Sequence, residues 1–159
     1  MNQNCNEQFL NDIIKVELVL ASACTFSIPF SIPGISTIGG TVGSASLKVA
    51  ASAQQGVDDG EYEQQPVLKQ QDKREAAGTL VQHSVQVAVT AGHADVRSKV
   101  AALQYKDFNV VLTTQDGLRY LIYSLPATSQ VMIDEQGVDD TLTLKITSQS
   151  LNHIIRITE

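Results

Sequence analysis

The feature that most constrains this chain is an Asp-Gly pair between two apolar runs. Phe108–Thr114 precedes Gln115-Asp116-Gly117, and Leu118–Tyr123 follows it. An Asp-Gly pair in this setting favours a tight β-hairpin, because the primed two-residue turns need a positive φ at both central positions. The sequence therefore predicts an antiparallel hairpin here, and Pro126 ends its second strand.

Alternating apolar and polar residues predict further strands on both sides of this hairpin. The clearest is Thr79–Thr90, in which valines at odd positions share one face. His83 lies on that valine face. We interpret it as a satisfied core residue, because metal ligands come in clusters. The other predicted strands are Ile14–Leu20, Cys24–Phe30, a short edge strand around Val67 and Leu68, Val131–Ile133, Leu142–Ser148 and Ile154–Ile157.

One helix is predicted, over Ala94–Gln104. Val96, Val100 and Leu103 follow the i, i+4, i+7 spacing of a single buried stripe. Gly92 separates this helix from the preceding strand, and Asp95 near the helix start suits the helix dipole.

A long glycine-rich loop is predicted between Ser31 and Gly60. Six of the ten glycines lie there, and few of its residues are charged. Loops of this length are commonly either functional or disordered, so a flexible hairpin is one interpretation. The other is an arm, at about 31–60, that becomes ordered against another subunit. The candidate subunit-contact residues of this arm are Ile32, Ile35, Ile38, Val42, Leu47 and Val49.

Length and composition favour a single domain over residues 1–159, mainly β, built as a β-sandwich or rolled barrel of antiparallel strands with one flanking helix. Apolar residues make up 43% of the chain and charged residues 18%, which is atypical of a disordered protein. Eleven Lys and Arg against 17 Asp and Glu give a net charge of -6. The chain therefore lacks the basic footprint of a nucleic-acid binder.

The sequence contains no recognisable catalytic or metal-binding motif. His83, His93 and His153 are far apart, and neither Cys5 nor Cys24 has local support as a nucleophile. The acidic residues around Asp58–Glu61 and Asp134–Asp140 lack the spacing of a calcium loop and are interpreted as solvated turns. We predict a protein that is not an enzyme, with no cofactor, no metal and no catalytic residue.

The second half of the chain resembles small structural proteins of bacteriophage tails. The resemblance rests on the strand Gly78–Thr90, the helix after it, the hairpin Phe108–Tyr123 and two closing strands. It implies a β-sandwich or rolled barrel that assembles into rings, as in tail-tube proteins. It identifies no functional residue.

The resemblance implies a noncatalytic virion protein, a tube-type subunit that forms stacked hexameric rings around a DNA channel. Its expected partners are copies of itself and other tail proteins, with DNA only as passing cargo and no membrane. Its expected location is the virion, after production in the host cytoplasm. An acidic channel wall would not hold DNA, because phosphate binding needs Lys and Arg. The long strands Thr79–Thr90 and Leu142–Ser148 carry little charge and would need partners if they lay at a sheet edge.

Two other interpretations remain open. A tail terminator, a head–tail joining protein or a baseplate protein would use a similar fold. A secreted or lipid-anchored β-rich binding domain would need Cys24 as its mature first residue, after Leu20-Ala21-Ser22-Ala23. Against this second interpretation, the residues before Cys24 lack a basic n-region, and Glu17 interrupts the apolar stretch.

Overall fold

The computed structural model describes residues 13–27, 34–51, 59–62, 64–75, 78–134 and 142–158. These residues are mainly β, as predicted, with one α-helix and one short 3-10 helix, Ala21–Ala23. The strands are β1 (Ile13–Leu20), β2 (Cys24–Phe26), β3 (Thr37–Val42), β4 (Leu47–Ala51), β5 (Gly60–Tyr62), β6 (Val67–Glu75), β7 (Gly78–Ala91), β8 (Phe108–Thr114), β9 (Arg119–Ile122), β10 (Gln130–Asp134), β11 (Leu142–Ser150) and β12 (Ile155–Thr158), and the helix α1 is His93–Leu103.

The strands form one open mixed sheet in the order β10-β11-β7-β5-β4-β1-β8-β9-β12-β3-β2. β6 also pairs with β7, along the part of that strand that β5 leaves free. Most neighbours are antiparallel, but β4 pairs with β5 and β12 pairs with β3 in parallel. The prediction of antiparallel strands is therefore wrong for these two pairs.

Two separate apolar clusters pack against opposite faces of the sheet. The larger cluster gathers side chains from strands far apart in the sheet order, including Val85 of β7 and Leu112 of β8. The smaller cluster lies on the opposite face of β1, β8 and β9 and includes Val19 and Val111. Since successive side chains of a strand point to opposite faces, β8 is buried on both sides. This explains why Phe108–Leu112 is an almost continuous apolar run.

The helix packs its predicted stripe into the larger cluster, where Val96, Val100 and Leu103 are buried. Gly92 precedes it in the left-handed conformation, with φ 81°, and its carbonyl oxygen accepts a hydrogen bond from Val96 N at 3.0 Å. The helix lies one residue earlier at each end than predicted.

The hairpin of β8 and β9 is confirmed, but its turn differs from the prediction. Gly117 N donates to Thr114 O at 2.9 Å, and Gly117 has a φ of 85°. Asp116 is not among the residues with positive φ. These features are typical of a three-residue loop in which a type I turn is followed by a left-handed glycine.

The segment predicted as a long loop between Ser31 and Gly60 contains strands β3 and β4. β3 lies between β2 and β12, and β4 lies between β1 and β5. The loop prediction is wrong for these residues because pairing with distant strands satisfies their backbone groups. Residues 28–33 and 52–58 lie outside the described residues. The first of these ranges includes Phe30, the predicted end of the second strand.

The long strands β7 and β11 are interior strands, so neither leaves an unpaired edge that would need a partner from another subunit. β11 pairs with β7 on one side and β10 on the other, and β7 pairs with β11, β5 and β6. The short edge strand predicted around Val67 extends over nine residues as β6.

Candidate functional site: the two open edges of one sheet face

The outer edge of β10 is the first part of the candidate site. β10 pairs with β11 on one side, and no strand of the described ranges pairs with its other side. The carbonyl oxygen of Val131 accepts a hydrogen bond from Gln104 Nε2 at 3.0 Å, so the backbone of Val131 points away from β11. Because backbone direction alternates along a strand, the backbone groups of Ile133 also face this edge. The Gln104 side chain occupies this edge at Val131, which is 2% exposed, so the groups that the edge offers to another strand are those around Ile133.

Two large apolar side chains stand exposed beside this edge. Tyr105, two residues after α1, has a left-handed backbone with φ 66° and a fully exposed side chain. Met132 of β10 is 56% exposed. Both line a groove of about 480 Å³ between the helix end and β10. A left-handed conformation costs a non-glycine residue about 1–2 kcal/mol. Exposed tyrosine and methionine are typical of protein interfaces.

The outer edge of β6 is the second part of the site. Within the described residues β6 pairs only with β7, which leaves its other edge open over the strand. Most of its side chains are polar or charged, as is common for edges that avoid uncontrolled pairing. Val67 is the exception, and it is 51% exposed.

Met132 and Val67 stand at opposite ends of one cross-strand row. Met132 is directly opposite Lys145, Lys145 is opposite Gln86, and Gln86 is opposite Val67. Directly opposed residues in antiparallel strands project from the same face. The four strands β10, β11, β7 and β6 thus carry one exposed apolar side chain at each open edge, on the same face and at the same level.

The rest of this outer face is polar. A groove of about 530 Å³ crosses it, lined by Lys69, Gln71, Gln82, Ser84, Thr147 and Gln149 together with the loop at Ala127–Thr128 and Gln130. Register places three lysines on this face, Lys69, Lys73 and Lys145, against two acidic positions, Asp134 and Glu75. Amides and hydroxyls donate and accept hydrogen bonds, and ammonium groups donate them. The face is therefore more basic than the chain as a whole.

A buried polar cluster lies on the opposite, core-facing side of the same strands. His83 Nε2 lies 3.1 Å from the carbonyl oxygen of Asn152, and Ile154 N donates to Gln70 Oε1 at 2.9 Å. Burial lowers the pKa of His83 from 6.5 to about 4, so its ring is neutral at neutral pH. This placement agrees with the prediction that His83 is a core residue. The cluster fastens the β11–β12 connection to β6 and β7.

The other histidines divide between this cluster and the helix start. His153 Nε2 lies 2.8 Å from Asp72 Oδ1, next to the His83 cluster. His93 Nε2 instead lies 3.0 Å from Val89 O. Among the described residues, no group of three or more His, Cys, Asp or Glu side chains is placed to hold a metal ion.

The candidate arm residues have different environments. Ile38 is buried in the smaller cluster, and Leu47 and Val49 are buried in the larger one. Ile35 and Val42 are partly buried against the smaller cluster. The side chains of Ile38, Leu47 and Val49 therefore already have partners within their own chain. Contact with another subunit stays a prediction for Ile35 and Val42, and Ile32 lies outside the described residues.

Sequence reasoning missed Tyr105 and Met132. Neither breaks a periodic pattern: Tyr105 follows the helix, and Met132 occupies an ordinary strand position. The local signal was a single aromatic residue in the polar stretch Gln104–Asp107. The alignment of Met132 with Val67 depends on three strand registers, which a single sequence does not specify.

Comparison with protein-family models, with curated proteins and with solved structures returns no match for this chain. None of the helices in the described part of the chain has the length and apolar character needed to cross a membrane.

Proposed function

We propose that this chain is a noncatalytic structural subunit of a phage tail, a tube-type protein that assembles with its own copies into stacked hexameric rings around a DNA channel. One observation carries the assembly part of the proposal. The sheet face formed by β10, β11, β7 and β6 has two open edges, each with an exposed apolar side chain in the same cross-strand row. The tail part rests on the resemblance of the sequence.

The direction of the strands supports a ring. β10, β11, β7 and β6 alternate in direction, so the two edges of this four-stranded segment run antiparallel to each other. Copies related by rotation about an axis along the strands therefore bring β10 of one copy antiparallel to β6 of the next. Such a head-to-tail contact closes into a ring when the rotation is a whole fraction of a turn.

The exposed side chains support the same pairing. With an unshifted register, Met132 of one copy meets Val67 of the next, and Tyr105 lies beside them. Each contact covers apolar surface and gives the backbone of two edge strands a partner.

The curvature of the sheet supports a rolled barrel as the finer description of the subunit. Side chains from β10, β11 and β7 share the larger cluster with those of β1, β8 and β9, which lie beyond β5 and β4 in the sheet order. The basic outer face suits the outside of a ring better than a DNA channel, since lysines would bind phosphate. We therefore assign the channel lining to other, acidic parts of the chain.

The position of β1 argues against the lipid-anchored alternative. Cleavage before Cys24 would remove β1, which lies between β4 and β8 and contributes Val16 and Leu18 to the larger cluster. A terminator, joining or baseplate protein would use the same edges in a single ring, so stacking distinguishes these roles from a tube.

Cysteine cross-linking tests the edge pairing. Within one copy, positions 67 and 132 are separated by three strand spacings, about 14 Å, which is too far for a disulfide. In a background with Cys5→Ala and Cys24→Ala, the double variant Val67→Cys/Met132→Cys is expected to give a ladder of covalent oligomers on oxidation. Each single variant is the matched control and is expected to give at most dimers. A double variant that forms no more than the single variants contradicts the pairing.

A further inference from the structure

The open edge of β10 is covered at one point by a side chain from the end of the helix. Gln104 follows α1 directly, and its Nε2 donates a hydrogen bond of 3.0 Å to the carbonyl oxygen of Val131. Gln104 is exposed, whereas Val131 is only 2% exposed. A buried carbonyl oxygen needs a donor, and at a strand edge that donor is normally the N–H of a neighbouring strand. Gln104 therefore takes the place of a missing strand.

The strand registers identify the group that would occupy this place in the proposed ring contact. One cross-strand row contains Val131, Ile146, Val85 and Leu68. In antiparallel strands, hydrogen-bonded pairs alternate with non-hydrogen-bonded pairs. Val131 points away from β11, so Ile146 points to β7 and forms a hydrogen-bonded pair with Val85. The backbone groups of Leu68 consequently point away from β7, to the open edge of β6.

The unshifted register places Val131 of one copy opposite Leu68 of the next. Both residues point to the contact, so they form a hydrogen-bonded pair in which each N–H donates to the carbonyl oxygen of the other. The Leu68 N–H reaches Val131 O from the open edge, where Gln104 Nε2 lies in the free subunit. The two donors therefore compete for one position.

We propose that the Gln104 side chain is a displaceable edge cap, which covers the Val131 carbonyl oxygen in the free subunit and gives way to the Leu68 N–H of the next copy. This inference rests on the proposed ring contact and adds a regulatory step to it. Displacement exchanges one hydrogen bond to Val131 O for another, so the exchange itself costs little. Until then the cap protects the β10 edge from uncontrolled pairing.

The edge cap can leave without loosening the segment that carries it. Ala127 N donates a hydrogen bond to Asp107 Oδ1 at 2.7 Å. Phe108 N donates another to Ser129 Oγ at 3.1 Å. Both bonds join the α1–β8 connection to the segment before β10, and neither involves Gln104. Truncation of the Gln104 side chain should therefore leave the fold intact.

A fluorescent peptide of residues 64–75, which contains the β6 sequence, tests the edge cap by fluorescence anisotropy with the full chain. Gln104→Ala removes the cap, and Gln104→Glu keeps its size but has no donor at neutral pH. Both variants should bind the peptide at least about threefold more tightly than the wild type. Gln86→Ala removes an exposed glutamine from the interior strand β7 and is the matched control, with wild-type binding expected.

Methylation of the peptide backbone tests which donor replaces Gln104. A methyl group on Leu68 N removes the N–H that would bond to Val131 O, so this peptide should bind the wild type at least about threefold more weakly. A methyl group on Lys69 N is the control, because that nitrogen points to the other side of the strand. Equal binding of the two methylated peptides overturns the assignment of Leu68 as the incoming donor.

The outcomes separate the edge cap from the ring contact. Equal peptide binding by the wild type and both Gln104 variants overturns the cap and leaves the contact between β10 and β6 standing. No binding by any of these proteins up to about 1 mM peptide overturns that contact and the cap with it.

Discussion

His83 Nε2 lies 3.1 Å from the carbonyl oxygen of Asn152, which is 69 residues further along the chain. The side chain of Asn152 extends the connection, since its Oδ1 accepts a hydrogen bond from Ile35 N at 2.8 Å. One residue of the β11–β12 connection thus fastens β7 and the segment before β3. Gln70 stands opposite His83 in the β6–β7 register, and within the described residues neither Gln70 Nε2 nor His83 Nδ1 has a hydrogen-bond partner. A neutral His83 ring can accept a hydrogen bond at Nδ1 from the Gln70 amide. A protonated ring carries a hydrogen at Nδ1 and cannot accept one.

The buried histidine predicts a loss of stability in acid. The pKa of His83 is 6.5 in the unfolded chain and about 4 in the folded protein, so the unfolded state binds more protons between these values. The His83 contribution to the free energy of unfolding is therefore complete above pH 6.5 and falls as the pH drops to about 4. The loss is up to about 3 kcal/mol. Urea unfolding across this pH range measures it.

The variant His83→Gln isolates this contribution from those of the acidic residues. Its side chain carries no charge at any of these pH values, so its stability should decline less than that of the wild type. Parallel pH profiles for the two proteins would show that His83 does not cause the acid loss.

Two glycines with similar backbone angles should differ in their tolerance of alanine. Gly92 and Gly117 have φ values of 81° and 85°. A Cβ at Gly92 would collide with the carbonyl oxygen of Asp59, whereas a Cβ at Gly117 would meet nothing within 4 Å. Gly117→Ala should cost about 1 kcal/mol for the left-handed backbone alone. Gly92→Ala should cost clearly more, and chemical denaturation of both variants compares them. Equal costs would contradict the close approach of Asp59.

The hydroxyl of Tyr62 should contribute to stability. It donates a hydrogen bond of 2.6 Å to Ile13 O inside the core, where burial also raises the pKa of Tyr62. Tyr62→Phe leaves that carbonyl oxygen without its donor and should cost about 1–3 kcal/mol in thermal or urea unfolding. Tyr105→Phe is the matched control, because the Tyr105 side chain is fully exposed, and it should change stability little.

The parts of the fold that sequence predicted well are those in which one periodic face is buried. The valines of β7 and the stripe of α1 repeat at the period of their element, and the hairpin of β8 and β9 is marked by its own turn residues. β3 and β4 escaped prediction because they are short, rich in small residues and paired with strands distant in the chain. Ile38, for example, is opposite Ile157 in a parallel pair. No local pattern identifies such a partner.

For the candidate site, the sequence could predict strand edges as the type of contact, but not which strands provide them. The sequence predicted that weakly charged strands would need partners if they lay at a sheet edge, but the two strands it named became β7 and β11, which are interior strands. The open edges belong to β10 and β6, and their positions follow from the sheet order.

Tyr105 should affect folding and assembly in opposite directions. Tyr105→Gly relieves a left-handed tyrosine, so the variant should be as stable as the wild type or more stable, by up to about 1 kcal/mol. It also removes an exposed aromatic side chain beside the β10 edge, so assembly should weaken. Light scattering during gel filtration measures the second effect, and urea unfolding measures the first. Unchanged assembly would remove Tyr105 from the proposed contact.

Negative-stain electron microscopy of the purified protein at high concentration tests the central claim most directly. The account predicts rings or stacked tubes for the wild type. It predicts few or none for Val67→Lys/Met132→Lys, which places a charge at each end of the cross-strand row. A wild-type protein that remains a dispersed monomer, or a double variant that forms the same rings, would contradict it.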